Sequence, residues 1–210
     1  VHLASRLDRE TSGVVLLAKH KKAASYWQKG IEFKKVRRNY LAILEGELPA
    51  GNTVSTFLGK DPDSEIYVKQ RVTDNSRKAK SAETIFTPIC SKNGYTFCSV
   101  ATLTGRKHQI RIHAQWIGHC LVGEKLYGRD EQIYLKFCES GWQKEWANIL
   151  GMSRQALHGR HLRDMETGVC FSAPLPEDFS HFLKTEMKLS IQEIEECVSV
   201  SDKFNFKGNG

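Results

Sequence analysis

Two clusters in this 210-residue chain hold the side chains best suited to chemistry. The first is Ser5-Arg6-Leu7-Asp8-Arg9-Glu10-Thr11-Ser12-Gly13, where Asp8 stands between two arginines just before an apolar run. A carboxylate is ionised at neutral pH, and that is the state a carboxylate nucleophile requires. The plain alternative is that Asp8 or Thr11 stabilises a tight turn ahead of a strand. On these residues alone the turn is the stronger reading. The second cluster is Leu103-Thr104-Gly105-Arg106-Lys107-His108-Gln109-Ile110-Arg111-Ile112-His113. On a helix, His108 and Arg111 share a face, as do Gln109 and His113, whereas Ile110 and Ile112 do not lie with them. A helix start that gathers cations and hydrogen-bond donors suits a phosphate or a paired carboxylate. Its plain alternative is a solvated basic helix. Metal binding by His108, His113 and His119 ranks low, because no cysteine or carboxylate sits at ligand spacing.

These clusters need elements to hold them. Gly13 to Ala18 is a short apolar run that reads as a buried strand. Lys19 to Lys35 reads as an amphipathic helix with a positive outer face, because Ala23, Ala24, Trp27 and Ile31 recur at near-helical spacing. Tyr40 to Leu44 reads as a second strand, closed by Gly46 and Pro49. Thr53 to Ser81 is polar and turn-rich, which suggests antiparallel strands and exposed hairpins. Ala82–Pro88 and Thr96–Leu103 read as strands, His108–Trp116 as a helix, and Tyr134–Leu150 as helical. Late strands are expected at Leu157–Leu162 and Val169–Ser172. A helix follows over Asp178–Met187, and a polar tail after Val200 is expected to fray. Strands and helices mix without a βαβ rhythm. The expected fold class is therefore α+β, a largely antiparallel mixed sheet with flanking helices, in one domain over residues 1–210.

Composition narrows the function. With 40% hydrophobic and 26% charged residues the chain is globular, and no apolar run is long enough to span a bilayer. A net charge of +7 favours a polyanionic partner, with RNA, DNA and an anionic membrane all eligible. Six cysteines without a CxxC pair point to buried, reduced thiols and a cytoplasmic setting. The chain begins at Val1 and enters motif-like sequence at once, so an upstream segment is expected.

Taken together the clusters resemble the RluA family of pseudouridine synthases. The family pattern His-Arg-Leu-Asp-x-x-Thr-Ser-Gly is similar to Ser5–Gly13, with Ser5 in place of the histidine. The pattern Thr-Gly-Arg-x-His-Gln-Ile-Arg-x-His is similar to Thr104–His113. Between them, Arg38-Asn39-Tyr40-Leu41-Ala42 resembles the family's tyrosine segment, and Lys80-Ser81-Ala82-Glu83-Thr84 its Lys-x-Ala-x-Thr stretch. Gly118, Val122 to Gly128, Leu157-His158 and Pro174 to Phe179 follow in family order. The family's upstream Lys-Pro-x-Gly strand is absent, and Glu131 to Gln155 has no clear counterpart.

The resemblance implies a cofactor-free and metal-free isomerisation of uridine in structured RNA, ribosomal or transfer, by a monomer with no membrane attachment. Asp8 would be the nucleophile and Tyr40 would pack on the target base. Arg111 would pair with Asp8, holding it with a bidentate fork. Arg6, Arg9, Lys80, Arg106, His108 and Gln109 would contact the RNA. A base inside a duplex cannot reach a carboxylate in a pocket, so it must flip out, at a cost of a few kcal/mol. Phosphate contacts from the Lys21–Arg38 region can offset that cost. A non-catalytic RNA-binding module on the same fold is the rival. The intact set Asp8, Tyr40 and Arg111 counts against it, because a binder has no use for such a set. A metal-dependent or two-carboxylate hydrolase is a weaker rival, since no second carboxylate is well placed.

Overall fold

The computed structural model describes residues 1–204. In chain order the strands are β1 His2–Leu3, β2 Ser12–Gly13, β3 Leu17–Ala18, β4 Val36–Glu45, β5 Asn52–Lys60, β6 Gln70–Thr73, β7 Lys80–Lys92, β8 Tyr95–Thr102, β9 Leu157–Asp164 and β10 Cys170–Ser172. The helices are α1 Lys21–Glu32, α2 Gln109–Trp116, α3 Gln132–Ser140, α4 Ala147–Leu150, α5 Glu177–Thr185 and α6 Ile191–Phe204, with a 3-10 turn at Lys144–Trp146.

The sheet is built around β4. Its run Leu41-Ala42-Ile43-Leu44 is apolar without a break and fully buried, as expected of a strand covered on both faces. Side chains alternate along it. Tyr40, Ala42 and Leu44 join Phe86, Val100, Ile110 and Ala114 on the face covered by α2. Leu41 and Ile43 join Phe97, Phe179, Phe182, Leu183 and Ile194 on the face covered by α5 and α6. The strand order is β10-β9-β4-β8-β7-β5-β6, and every neighbouring pair is antiparallel. Only β2 pairs in parallel, through Ser12 and Gly13 with His158 and Gly159 of β9. The fold is thus α+β with a mostly antiparallel sheet and helices on both faces.

Several expectations need correction. Gly13–Ala18 is not one buried strand. It breaks into β2 and β3, with Val15 and Leu17 exposed, and β3 pairs with β1 in a separate two-stranded ribbon. The cause is Gly13, whose φ of +124° turns the chain across β9. The Tyr134–Leu150 helix is three pieces, interrupted where Gly141 takes φ +73°. α6 was not foreseen, and it continues through the supposedly frayed stretch after Val200. There Ser201 is buried and Asp202 accepts two hydrogen bonds from Arg160. The rest of that tail, residues 205–210, lies outside the described residues. Cys138 and Cys170 are exposed, so the thiols are not uniformly buried.

Gly13 yields a direct prediction. A Cβ there would stand 2.3 Å from the Gly159 carbonyl oxygen, and the backbone conformation is one that side chains resist. Strain and overpacking of this kind each cost about 1–3 kcal/mol. Gly13→Ala is therefore expected to lower the urea midpoint by an amount equivalent to about 2–6 kcal/mol. An unchanged midpoint would remove the close approach of β2 to β9 from the account.

Candidate active site

The two sequence clusters meet. A cavity of about 300 Å³ opens where the Arg6–Thr11 loop, β4, the end of β8, the Thr104–His108 loop and the start of α2 converge. Asp8, Tyr40, Arg111, Arg6, Arg106, His108 and Gln109 all line it, together with Arg38, Lys107 and Thr102. Lys80 and Arg9 do not. Lys80 is exposed at the start of β7, and the Arg9 guanidinium lies 5.6 Å from the centre of the Phe137 ring.

Each cluster is held by its own bonds. The Asp8 backbone carbonyl accepts from Thr11 N–H at 3.0 Å, so the turn reading is correct for the backbone and leaves the carboxylate free for the cavity. Gln155 then donates to the Thr11 hydroxyl at 2.7 Å. The second cluster is not a solvated basic helix. Gln109, Ile110, Arg111, Ile112, His113 and Ala114 are all buried. Gln109 is a brace: its Oε1 accepts from Thr104 Oγ1 and Arg106 N, and its Nε2 donates to Glu83 O and Thr84 Oγ1. Nothing of that amide is left for RNA, which corrects its expected role. His113 is likewise occupied, by Thr56 and Thr84.

His108 is not the first helical residue but precedes the helix in a left-handed conformation, φ +57°. Burial, then the Arg111 and Lys107 charges, push its pKa down to about 3. It therefore faces the cavity as a neutral ring. Tyr127 meets its Nδ1 at 2.7 Å and itself accepts from Gln70 N–H at 3.1 Å. The Tyr127 hydroxyl can donate to Nδ1 or accept from it, so either ring nitrogen can carry the proton.

Arg111 also departs from expectation. Its bidentate fork closes on Glu124, with Nε to Oε2 at 2.8 Å and Nη2 to Oε1 at 2.6 Å. Asp8 receives the remaining edge, Nη1 to Oδ2 at 3.6 Å. Burial works to raise the Glu124 pKa, but the Arg111 charge and hydrogen bonds, with the N–H groups of Leu126 and Tyr127, bring it down overall. Burial likewise opposes the Arg111 charge, and Glu124 followed by Asp8 drives its pKa upward. Glu124 stays ionised, and Arg111 carries a firmly held positive charge to Asp8.

The next residue, Lys125, supports the same loop from the other side. Its ammonium is fully buried and donates to Glu10 Oε1 at 2.8 Å and to Ser153 O at 2.7 Å. It also lies 4.5 Å from the Phe137 ring centre and 5.4 Å from that of Trp142. Phe137 is on α3, so the 131–155 segment, which had no expected role, packs behind the Asp8 loop. Glu124 and Lys125 were missed as site residues. Their only sequence signal was the Val122–Gly128 stretch, and Gly123 explains why it is glycine. A Cβ there would stand 2.0 Å from the Arg154 carbonyl. Among the described residues no group of three or more His, Cys, Asp or Glu side chains is placed to hold a metal ion. No helix among them is long and apolar enough to cross a membrane.

The fold is one found in RNA pseudouridylate synthase domains. The structure superposes on human RNA pseudouridylate synthase domain containing 4 with a TM-score of 0.71 at 24% identity, covering 90% of this chain and 77% of that one. The chain belongs to the RNA pseudouridylate synthase family, whose pattern matches residues 1–116. An uncharacterized RNA pseudouridine synthase of Bacillus subtilis, YjbO, is 36% identical over 191 residues, which are 89% of this chain and 59% of the relative. Ribosomal large subunit pseudouridine synthase D of Neisseria meningitidis serogroup A is 33% identical over 187 residues, 86% of this chain and 47% of the relative. The chain thus spans about half the length of the curated relatives it matches.

Proposed function

We propose that this chain isomerises uridine to pseudouridine in RNA, with Asp8 as the nucleophile and ribosomal RNA as the first substrate to test. The observation that carries the reading is the arrangement at the cavity: a partly exposed carboxylate, a buried guanidinium 3.6 Å from it, and a buried tyrosine on the adjoining strand. At about 300 Å³ the cavity falls at the small end of ligand sites. That suits one extruded nucleoside and excludes a duplex. Asp8 adds to the ribose or the base as the N-glycosidic bond breaks, and the uracil turns and rejoins through carbon. Tyr40 packs on the base and Arg6, exposed at the rim, contacts the strand it left. The relatives named for the large ribosomal subunit support ribosomal RNA ahead of transfer RNA.

The test is direct. Purified protein, with chelator present, is incubated with ribosomal RNA transcripts, and pseudouridine is read by mass spectrometry of nuclease digests. Site-specific conversion is the expected result. Tight RNA binding with no conversion in ribosomal or transfer RNA would instead favour the non-catalytic module. Binding itself should be salt-dependent. If about five phosphates are contacted, log affinity falls with log salt at a slope of roughly −3.5 to −4.5. A flat response would remove the basic surface from the account.

A further inference from the structure

Two residues that line the cavity each carry a buried polar atom with no hydrogen-bond partner: Arg38 at Nε and Thr102 at Oγ1. They are neighbours, because Arg38 and Thr102 are directly opposed in the β4–β8 ladder, where side chains on one face stand about 5 Å apart. Buried polar atoms are nearly always paired, and one without a partner calls for an explanation such as an absent ligand. Arg38 is unusual in a second way. Arg111, Arg154 and Arg160 each close a fork on a carboxylate. Among the described residues Arg38 has no carboxylate. Its one bond is from Nη2 to the Thr104 carbonyl at 3.0 Å, which orients the guanidinium without neutralising it.

The surroundings choose the ligand. Arg6, Arg38, Arg106, Lys107 and Arg111 line the cavity against the single carboxylate of Asp8, and His108 is neutral. A guanidinium edge beside a hydroxyl offers donors to an oxyanion, and the planar fork suits phosphate. Tyr40 lies two residues along the same face of β4, about 6.6 Å away. That is the scale separating a nucleobase from the phosphate on its own sugar.

We infer that Arg38 and Thr102 form a phosphate subsite that grips a phosphodiester flanking the nucleotide whose base lies on Tyr40. The inference rests on the proposed RNA substrate but not on its conversion. The subsite fixes the position of the flipped nucleotide, while surface lysines contribute only to general attraction.

The probe is a pentameric oligouridylate in which each phosphate in turn is replaced by an uncharged methylphosphonate. Affinity is measured by calorimetry for the wild type, Arg38→Met and Thr102→Val. One replacement is expected to weaken wild-type binding about tenfold, and to weaken Arg38→Met no further. Thr102→Val should show a smaller loss coupled to the same position. Arg38→Lys, which keeps charge without the fork, should recover only part of the affinity. If every replacement weakens wild type and both variants by the same factor, the subsite does not exist. Should Arg38→Met fail to fold without its bond to Thr104, Thr102→Val decides the matter by the same comparison. Pseudouridine formation by the wild type is scored separately. Coupled binding without conversion keeps the subsite and overturns the reaction, and conversion without coupling does the reverse.

Discussion

Asp8→Asn is expected to abolish pseudouridine formation while leaving the fold and RNA affinity in place. Asparagine matches aspartate in shape, so the turn from Asp8 O to Thr11 N–H is untouched. Charge balance also survives. Arg111 is held mainly by Glu124, and Asp8 is its more distant partner at 3.6 Å. Removing the Asp8 charge therefore does not strand a buried cation, and the Asp8 side chain is itself 23% exposed. What is lost is the nucleophile. Loss of a residue that forms the covalent bond typically lowers turnover by orders of magnitude, roughly 10⁶ in the best-studied protease. A fall of at least about 10³ is expected in single-turnover experiments at saturating RNA. Turnover within tenfold of wild type, in protein shown by mass to be free of deamidated chain, would sink the assignment. An equal fall in affinity would recast Asp8 as a binding residue.

How much of this was readable beforehand depended on whether the controlling interaction was local. β4 was legible because a strand covered on both faces needs an unbroken apolar run, and Leu41–Leu44 supplies it. α1 was legible from its spacing, and its lysines at 21, 22 and 29 do face outward. The nature of α2 was not. Its run of charge reads as a wet surface unless one knows that Glu124, Thr84 and Glu83 wait inside to satisfy Arg111 and Gln109. Those partners come from other elements and leave no periodic trace. The same holds for Gly13, whose positive φ is set by the approach of Gly159, far along the chain. Local apolar character read the Gly13–Ala18 run as one buried strand and could not say that it would split between two sheets with Val15 and Leu17 exposed. Motif order placed Asp8, Tyr40 and Arg111 in one constellation. It could not show that Arg111 reaches Asp8 only after committing its fork to Glu124.

That division of Arg111 between two carboxylates makes its replacement the most informative experiment on stability. The side chains of Arg111 and Glu124 are 7% and 1% exposed. Removing one member of such a pair leaves an uncompensated buried charge, at about 3–5 kcal/mol. A domain of this size is stable by only about 5–15 kcal/mol in total. Arg111→Met should therefore show a large drop in urea midpoint, and Glu124→Gln a comparable one, because the guanidinium then lacks its main partner. The double variant Arg111→Met/Glu124→Gln should recover much of the loss, since neither charge remains and two backbone N–H groups can still bond the Gln amide oxygen. Turnover should behave differently. With both charges gone nothing holds a cation at Asp8, so the double variant should be folded and inactive. Arg111→Lys should fold less stably and turn over poorly, because an ammonium cannot bond Glu124 with two donors and still present a third to Asp8 in the same plane. If Arg111 were instead a phosphate contact, its loss would weaken RNA binding, flatten the salt slope and spare both stability and saturated turnover. Urea unfolding of the wild type and the four variants, alongside single-turnover rates at saturating RNA, separates the two accounts. Strict additivity of the stability losses, or a double variant that regains turnover, would show that the Glu124–Arg111–Asp8 chain does not position the nucleophile.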